Sequence, residues 1–542
     1  MLFYLAVLVT RLALIAWPPT GHLYNVDEAE MVSSTIDRFL GVPSTSLAWP
    51  GSLLQLAAVP AVAVQIGVHC AEVGGVADLD CVASGAGRLY LAPWPTLTAM
   101  RVFSALLASM GPLLVFACCR EMGAGIGGAV AGASILALSP LFWQHGATAT
   151  GDAASVSLGL GSLLLALKGA GRPVRAAAWS GCFAGAALAA KFTALTLTLA
   201  AGLVVAVRRP QRLPAVAAWT AGAAGVGAAL CPYVWIDPLR VVKSALGSTS
   251  AGGSAGQIWG LLHECTGDAL VPVLLLAASG IWFLLRTAER RWIGGAALAG
   301  LVLLFAPLLA LNATYGRYAL PLAAFLVVLS GTGASFVMGC LRSPRARRGF
   351  AVLLCAVPAI ACVQTVAGEM ALREAVPVVE GVRAVSLHAR RGPVYLPASA
   401  FFTALPILAR QTCERLAARA QERLSRPEGL LRFMAARGIS RPAAPVLVAA
   451  FNEDEQAAVS RLSAMARAAP SSEFDVRFFA EAEDDGGELL ARSALVEYSR
   501  AEVRDAFVRS PQGSALLIDR DEPALARSRQ SLGGGWFLYV HD

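Results

Sequence analysis

The stretch MLFYLAVLVTRLALIAWPPTGHLYNVDEAEM (1–31) places an apolar segment directly before an acidic patch. Residues 1–17 are long enough to cross a slightly thinned bilayer, and they lack the basic start and small-residue cleavage site of a signal peptide. The prolines and glycine that follow cannot continue a helix, so Asp27, Glu28 and Glu30 are expected at the membrane surface. This order predicts chemistry on a molecule that the membrane delivers.

The composition excludes an ordinary soluble protein. Of 542 residues, 56% are apolar and only 15% are charged, and the mean hydropathy is +0.61. The excess of basic side chains lies in residues 1–367, which hold 22 basic and 13 acidic side chains. The positive-inside rule accounts for this excess, so no nucleic-acid partner is expected.

The topology follows from the basic clusters between apolar runs. If alternate helix ends face the cytoplasm, all the basic clusters fall on that side. These clusters are Arg120, KGAGRPVR (168–175), RRPQR (208–212), RTAERR (286–291) and RSPRARR (342–348). This arrangement predicts about 11 transmembrane helices in the cytoplasmic membrane, with the amino terminus inside. The apolar runs lie near residues 1–17, 101–119, 124–143, 153–167, 176–190, 192–207, 214–232, 269–285, 292–311, 318–340 and 349–367.

Two ambiguous segments are assigned by the same requirement that every basic cluster face the cytoplasm. Residues 51–69 are apolar enough to span, but a crossing there would move every later basic loop outside. They are therefore predicted to form a surface helix that is interrupted at Pro60. Residues 176–207 are predicted to form two short helices with a turn near Lys191, because one crossing would leave RRPQR outside.

The last part of the chain has a different character. Strand-like runs at 393–402, 445–451, 474–482, 514–520 and 536–542 alternate with helical stretches such as ERLAARAQERL (414–424). We expect residues 1–367 to form a transmembrane domain with an outer loop over 18–100. Residues 368–542 are expected to form an extracytoplasmic α/β domain.

Each ionisable residue on the predicted outer side could have a structural role or a functional one. Asp27 and Glu28 can be solvated loop acids, and Asp152 can be a helix N-cap. Lys191 lies between apolar runs, where a cation either snorkels or meets an anion. Arg317 can be a simple anchor at a helix entrance. His22, His145 and His263 with Glu264 could supply metal ligands, although no spacing among them matches a defined metal site.

Cys70 and Cys81 lie in one loop on the predicted outer side, where disulfides persist. We expect a disulfide between them.

Several ordered motifs across residues 1–340 resemble the GT-C superfamily of polyprenyl-phosphate-dependent glycosyltransferases. The resemblance is closest to the branch with protein O-mannosyltransferases and lipid A aminoarabinose transferases. The motifs are VDEAEMVSSTIDRFLG (26–41), MRVFSALLASMGPLLVF (100–116), ALSPLFW (137–143) followed by Asp152, GCFAGAALAAKFTAL (181–195) and GRYALPLAAFLVVLSG (316–331).

This resemblance implies a sugar donor carried on a polyprenyl phosphate and a lipid, glycan or protein acceptor. The acceptor hydroxyl benefits from a carboxylate base, for which Asp27 is the candidate and Glu28 the next. The phosphate leaving group needs positive charge, which Lys191 and Arg317 can supply, with Arg101 as a further candidate.

A single displacement of this kind inverts the anomeric centre. Asp152 can orient the acceptor or hold a divalent metal ion, which some relatives use. The resemblance implies no other cofactor.

Two other classes of protein stay open at this point. A transporter or flippase of lipid-linked sugars would show inverted repeats and charges at the membrane midplane. The sequence has no internal repeat, and its charges lie at the outer interface. A non-catalytic outer-face scaffold that binds through the α/β domain is the third possibility.

Overall fold

The computed structural model describes most of the chain. The described residues are 2–16, 26–40, 52–73, 79–168, 172–207, 212–231, 255–310, 316–374, 392–397, 408–425, 444–469, 474–479, 498, 500–510, 514–518, 528–533 and 536–540.

The amino-terminal two thirds of the described chain is helical, and each predicted apolar run contains helix. The helices are α1 (Leu2–Ala16), α2 (Val26–Leu40), α3 (Ser52–Glu72), α4 (Leu79–Leu91), α5 (Trp94–Glu121), α6 (Ile126–Ala137), α7 (Pro140–Gly146), α8 (Asp152–Lys168), α9 (Pro173–Ala190), α10 (Leu195–Val207), α11 (Arg212–Leu230), α12 (Ala255–Thr266), α13 (Leu270–Arg286), α14 (Arg291–Ala310), α15 (Leu320–Cys340) and α16 (Pro344–Glu374). Helices α2, α4 and α12 lie outside the predicted apolar runs.

Five helical segments of the described chain are long and apolar enough to cross a membrane, or six if a bent pair counts as one span. They are Leu53–Glu72, Trp94–Glu121, Arg212–Leu230, Ile258–Arg286 and Arg317–Cys340. The bent pair is α6 with α7, which meet at 63°. A multi-pass membrane protein is thus supported, and the count of about 11 crossings stays a prediction.

The chain divides into two compact units. The first comprises Met1–Pro18, Leu47–Ala57 and Thr98–Met370. The second comprises Pro19–Ser46, Ala58–Leu97 and Ala371–Asp542. Two parts of the long loop therefore belong to the same unit as the carboxy-terminal segment.

Glycines allow helices of the first unit to approach closely. A side chain at Gly181 would meet the carbonyl oxygen of Trp219 at 2.1 Å, and one at Gly185 would meet that of Ala223 at 2.4 Å. These glycines are four residues apart on one face of α9, which is the small-residue spacing that membrane helices use for tight packing. The packing of α9 on α11 therefore depends on the absence of side chains at these positions.

The two ambiguous segments have different outcomes. Residues 52–69 lie in α3, which continues through Pro60, so the predicted interruption is wrong. Proline is tolerated in apolar helices because neighbouring groups can satisfy the freed carbonyl. The predicted break near Lys191 is confirmed, since α9 ends at Ala190 and a 3₁₀ turn, Phe192–Ala194, precedes α10.

The carboxy-terminal segment of the second unit forms a mixed five-stranded sheet of order β2-β1-β3-β5-β4. Strand β1 pairs in parallel with β2 and β3, whereas β5 is antiparallel to β3 and β4. The elements are β1 (Gly392–Pro397), α17 (Arg410–Ser425), α18 (Ala444–Ala468), β2 (Phe474–Phe479), α19 (Arg500–Val508), β3 (Ala515–Ile518), β4 (Ser528–Gly533) and β5 (Trp536–Val540).

Four of the five predicted strand-like runs contain strands, and the helix over 414–424 is confirmed. The strand predicted at 445–451 is wrong, because these residues form the start of α18. A short apolar run cannot distinguish a strand from a buried helix. Strand β4, with the polar sequence SRQSLG, was not predicted.

The predicted disulfide is present. Cys70 of α3 is bonded to Cys81 of α4, with Cα atoms 5.7 Å apart. Closing a loop of this length restricts the unfolded chain. The disulfide therefore ties α3 to α4 within the second unit.

Candidate active site

The start of α8 lies against the end of α9 because of a glycine. Gly151 has φ of +75°, a left-handed conformation that glycine adopts without strain. A Cβ atom there would lie 2.7 Å from the carbonyl oxygen of Ala190. This close approach brings Asp152, the first residue of α8, towards Lys191, the residue after α9.

Lys191 occupies the single extended residue of this helix break. Its backbone N–H donates to the carbonyl of Ala187 at 3.0 Å, and its own carbonyl accepts from Ala194 at 3.1 Å. The break satisfies its backbone groups locally and still turns the side chain into the interior, where Lys191 is 4% exposed. A buried cation of this kind requires an anionic partner.

Asp152 provides that partner. Lys191 Nζ lies 3.6 Å from Asp152 Oδ2, and His145 Nδ1 lies 3.9 Å from the same oxygen. Both separations exceed hydrogen-bond distance. Neither carboxylate oxygen of Asp152 has a hydrogen-bond partner among the described residues, although the residue is 1% exposed. Asp152 opens α8 as predicted, but its side chain does not act as a cap there.

Two hydroxyl groups extend this buried cluster. His145 Nδ1 lies 3.1 Å from Thr150 Oγ1, which lies 3.2 Å from Thr148 Oγ1. Both threonines are buried in the short connection between α7 and α8. The interior at this point therefore holds a carboxylate, an ammonium, an imidazole and two hydroxyl groups. We call this set, His145, Thr148, Thr150, Asp152 and Lys191, the Asp152 cluster.

The Asp152 cluster does not fit a divalent cation on the Asp152 carboxylate, because the ammonium of Lys191 is already its neighbour. Among the described residues no group of three or more His, Cys, Asp or Glu side chains could hold a metal ion. Of the other histidines considered, His263 lies at the surface 3.7 Å from Asp268, and His22 lies outside the described residues.

A fully buried arginine beside α7 was not predicted. Arg11, in the middle of α1, donates from Nη2 to the carbonyl of Phe142 at 3.2 Å and from Nη1 to Ser109 Oγ at 3.4 Å. Its guanidinium lies 5.0 Å from the ring centre of Phe142 and 5.7 Å from that of Trp143. A Cβ atom at Gly146 would lie 2.6 Å from Arg11 Cζ. Arg11 therefore fixes the helix that carries His145.

The sequence signal for Arg11 was a lone charge in an apolar run, which marks a functional or structural role in a membrane helix. This charge by itself does not predict burial against α7, because the run as a whole is apolar enough to span.

The two other predicted cations also lie in the first unit. Arg101 is on α5 and is 6% exposed. Arg317 lies in the 3₁₀ turn Gly316–Ala319, half-buried, with its guanidinium 5.6 Å from the ring centre of Tyr318. That turn packs against α7, the helix of His145.

The predicted amino-terminal acids are on α2 in the second unit. Glu28 is fully buried in the first turn of that helix. Asp27 precedes it in the same turn, and its side chain lies outside the described part of the structure. The roles of Asp27 and Glu28 stay predictions.

No protein-family model matches the chain, and no curated protein matches it. The fold is similar to ArnT from Cupriavidus metallidurans in the apo state, with 13% identity and a TM-score of 0.45 over 100% of this chain and 97% of that chain. ArnT from the same organism bound to undecaprenyl phosphate gives 14% identity and a TM-score of 0.44, covering 100% of this chain and 98% of that chain.

A third solved structure is the archaeal oligosaccharyltransferase AglB from Archaeoglobus fulgidus, in complex with an inhibitory peptide and a dolichol-phosphate. It gives 13% identity and a TM-score of 0.39 over 70% of this chain and 57% of that chain. The resemblance to the GT-C superfamily stays a prediction from the motifs. With TM-scores below 0.5, the similarity assigns no residue role and no substrate.

Proposed function

We propose that this chain is an integral-membrane inverting glycosyltransferase. It moves a sugar from a polyprenyl-phosphate donor to an acceptor hydroxyl at the outer face of the cytoplasmic membrane. The observation that carries the proposal is the buried ion pair between Lys191 and Asp152, next to His145. Ionisable groups inside a membrane bundle are expensive, and they are retained where function requires them.

The cations serve the donor phosphate in this proposal. When the bond between the sugar and the phosphate breaks, negative charge grows on the phosphate oxygens. A buried ammonium stabilises that charge strongly because the surroundings are apolar. In the absence of donor, the Asp152 carboxylate supplies the negative charge that compensates the buried ammonium of Lys191. Arg317 and Arg101 are the further phosphate-binding candidates, with Arg317 binding through two parallel hydrogen bonds.

The acid at the start of α2 serves the acceptor. Asp27 takes the proton of the acceptor hydroxyl as its oxygen attacks the anomeric carbon. The bond between that carbon and the phosphate oxygen breaks, and the polyprenyl phosphate leaves with the electron pair. The anomeric configuration is inverted because attack and departure occur on opposite faces. Glu28 is the second candidate for the base, and Asp152 orients the acceptor.

The orientation in the membrane is also a proposal. The Cys70–Cys81 disulfide supports an oxidising compartment for the loop over residues 18–100. Together with the basic clusters, it favours an outer location for the α/β domain. The acceptor can be a lipid, a glycan or a protein, and the proposal includes no nucleic-acid partner and no metal-dependent step.

The test uses the full chain, purified in detergent and returned to vesicles. Two donors are supplied separately: polyprenyl-phosphate mannose and polyprenyl-phosphate aminoarabinose, each radiolabelled in the sugar. With a membrane extract supplied as the source of acceptor, the proposal predicts release of unlabelled polyprenyl phosphate and transfer of the label to an acceptor hydroxyl. Asp152→Asn should lower this release, whereas Asp80→Asn, which changes an exposed acid at the start of α4, should not.

Movement of intact labelled donor across the vesicle membrane, without release of polyprenyl phosphate, would contradict the proposal and support a flippase.

A further inference from the structure

A buried carboxylate on α2 is held by an arginine from the far end of the chain. Asp37 is fully buried, and Arg461 of α18 donates to both of its oxygens. The distances are 2.9 Å from Nε to Oδ1 and 2.5 Å from Nη2 to Oδ2. This is the planar two-bond pairing that arginine forms with carboxylates.

A tyrosine completes the environment of Asp37. The hydroxyl of Tyr90, on α4, donates to Asp37 Oδ1 at 2.5 Å. Burial and, secondarily, the charge of Asp37 raise the pKa of Tyr90 well above its usual value, so the phenol remains a donor. Asp37 therefore accepts three hydrogen bonds, two from the carboxy-terminal segment and one from the loop that follows the first membrane helix.

The backbones of α4 and α18 also approach each other closely near this contact. A Cβ atom at Gly87 of α4 would lie 2.1 Å from the carbonyl oxygen of Ala464 of α18. Helix α4 packs against α18 and against α2, and the Cys70–Cys81 disulfide holds α4 to α3. Helix α2 therefore packs on α4, which is itself held by α18 and by the disulfide to α3. Arg461 binds α2 at Asp37.

We propose that Arg461 is a positioning residue that holds α2 in place through Asp37. The α/β domain thereby controls the placement of the acids at the start of that helix. This inference rests on the proposed function, in which Asp27 and Glu28 serve the acceptor. Asp37 is ten residues from Asp27 on one helix, about 15 Å along the axis. A continuous helix transmits rotation and tilt over that distance without a further contact.

The planar fork matters for this role. Two parallel hydrogen bonds fix the direction of the carboxylate as well as its distance, whereas a lysine ammonium fixes distance alone. Loss of the two hydrogen bonds from Arg461 should leave a folded protein in which the first turn of α2, with Asp27 and Glu28, is displaced. A displacement of about 1 Å is enough to lower turnover by about a hundredfold.

The test compares Arg461→Ala and Arg461→Lys with Arg467→Ala, which removes an exposed arginine from the same helix. Two quantities are measured on the full chain: hydrogen exchange of peptides within residues 26–40, and kcat and KM for the polyprenyl-phosphate donor. Arg461→Ala should accelerate exchange in α2 and lower kcat by about ten- to a hundredfold, with little change in donor KM. For Arg461→Lys, the exchange rate of α2 and kcat should lie between those of Arg461→Ala and wild type. For Arg467→Ala, both should equal the wild-type values.

The inference is overturned if Arg461→Ala leaves either α2 exchange or kcat at the wild-type value. If Arg461→Ala does not fold, Asp37→Asn provides the same comparison, since it keeps the shape of the side chain and weakens the pairing. If wild type transfers no sugar, the proposed function fails, and α2 exchange alone then decides whether Arg461 holds the helix.

Discussion

Lys191 and Asp152 form a buried ion pair in which the ammonium lies 3.6 Å from the carboxylate. The pair exists because Gly151 permits the start of α8 to touch the end of α9 at Ala190. Neither Asp152 oxygen is hydrogen bonded to a described residue. The pair is therefore held by charge and packing, which leaves the carboxylate able to accept a hydrogen bond from a substrate hydroxyl.

The first prediction separates the structural role of this pair from its functional one. Lys191→Met should lower the free energy of unfolding by about 3–5 kcal/mol, because it leaves an unpaired buried carboxylate. The double variant Lys191→Met/Asp152→Asn should regain most of that stability, since neither charge of the pair remains. It should still transfer no sugar. Thermal unfolding and donor turnover per folded molecule measure the two effects.

The matched control is Lys168→Met, which changes an exposed lysine at the other end of α8. It should alter neither quantity. Wild-type turnover in the stable double variant would show that the ion pair only holds the helices together.

The second prediction concerns Gly151. An alanine there would adopt a left-handed conformation that costs about 1–2 kcal/mol, and its Cβ would overlap the carbonyl oxygen of Ala190. Gly151→Ala should therefore lower both thermal stability and turnover, because α8 must move away from Lys191. Gly225→Ala, on α11 with open space around it, should be neutral in both assays. An active Gly151→Ala protein would mean that the approach of α8 to α9 is not required.

The third prediction distinguishes a phosphate-binding arginine from an anchor at Arg317. Arg317→Lys keeps the charge but loses the two-bond geometry. Loss of one hydrogen bond to a charged group is worth about 1.5–3 kcal/mol, so donor affinity should fall by about ten- to a hundredfold. Titration with polyprenyl phosphate measures the affinity, and Arg345→Lys, at an exposed position of α16, is the control. An anchor would instead lose thermal stability with normal affinity, and Arg101 would then be the next residue to test.

The fourth prediction is that residues 368–542 lie outside the cytoplasm. The alternation of basic clusters requires an odd number of crossings, and the Cys70–Cys81 disulfide agrees with an oxidising outer compartment. A topology reporter fused after residue 542 should be active only on the outer side. A cytoplasmic signal would mean that 51–69 spans the membrane or that 176–207 crosses once.

The sequence was sufficient for features that depend on local pattern. The helix break at Lys191 follows from a charge between two apolar runs, and four strands follow from short apolar runs bounded by turn residues. The error at 445–451 has the same origin, since a short apolar run fits a buried helix equally well.

Features that depend on distant partners could not be predicted. Arg11 is accommodated by Phe142 and Ser109, which no local pattern connects to it. Asp37 is paired with Arg461, which lies 424 residues further along the chain. In both cases the cost of burial is offset by groups far along the chain, and only the fold brings them together.

The most direct test of the account is sugar transfer by Asp27→Asn in the purified full chain. A general base contributes about 10²–10⁴-fold, so turnover of the labelled polyprenyl-phosphate donor should fall by that amount while the thermal unfolding of the protein is unchanged. Asp80→Asn should retain wild-type turnover. Wild-type turnover in folded Asp27→Asn would contradict the assignment of the base and move it to Glu28.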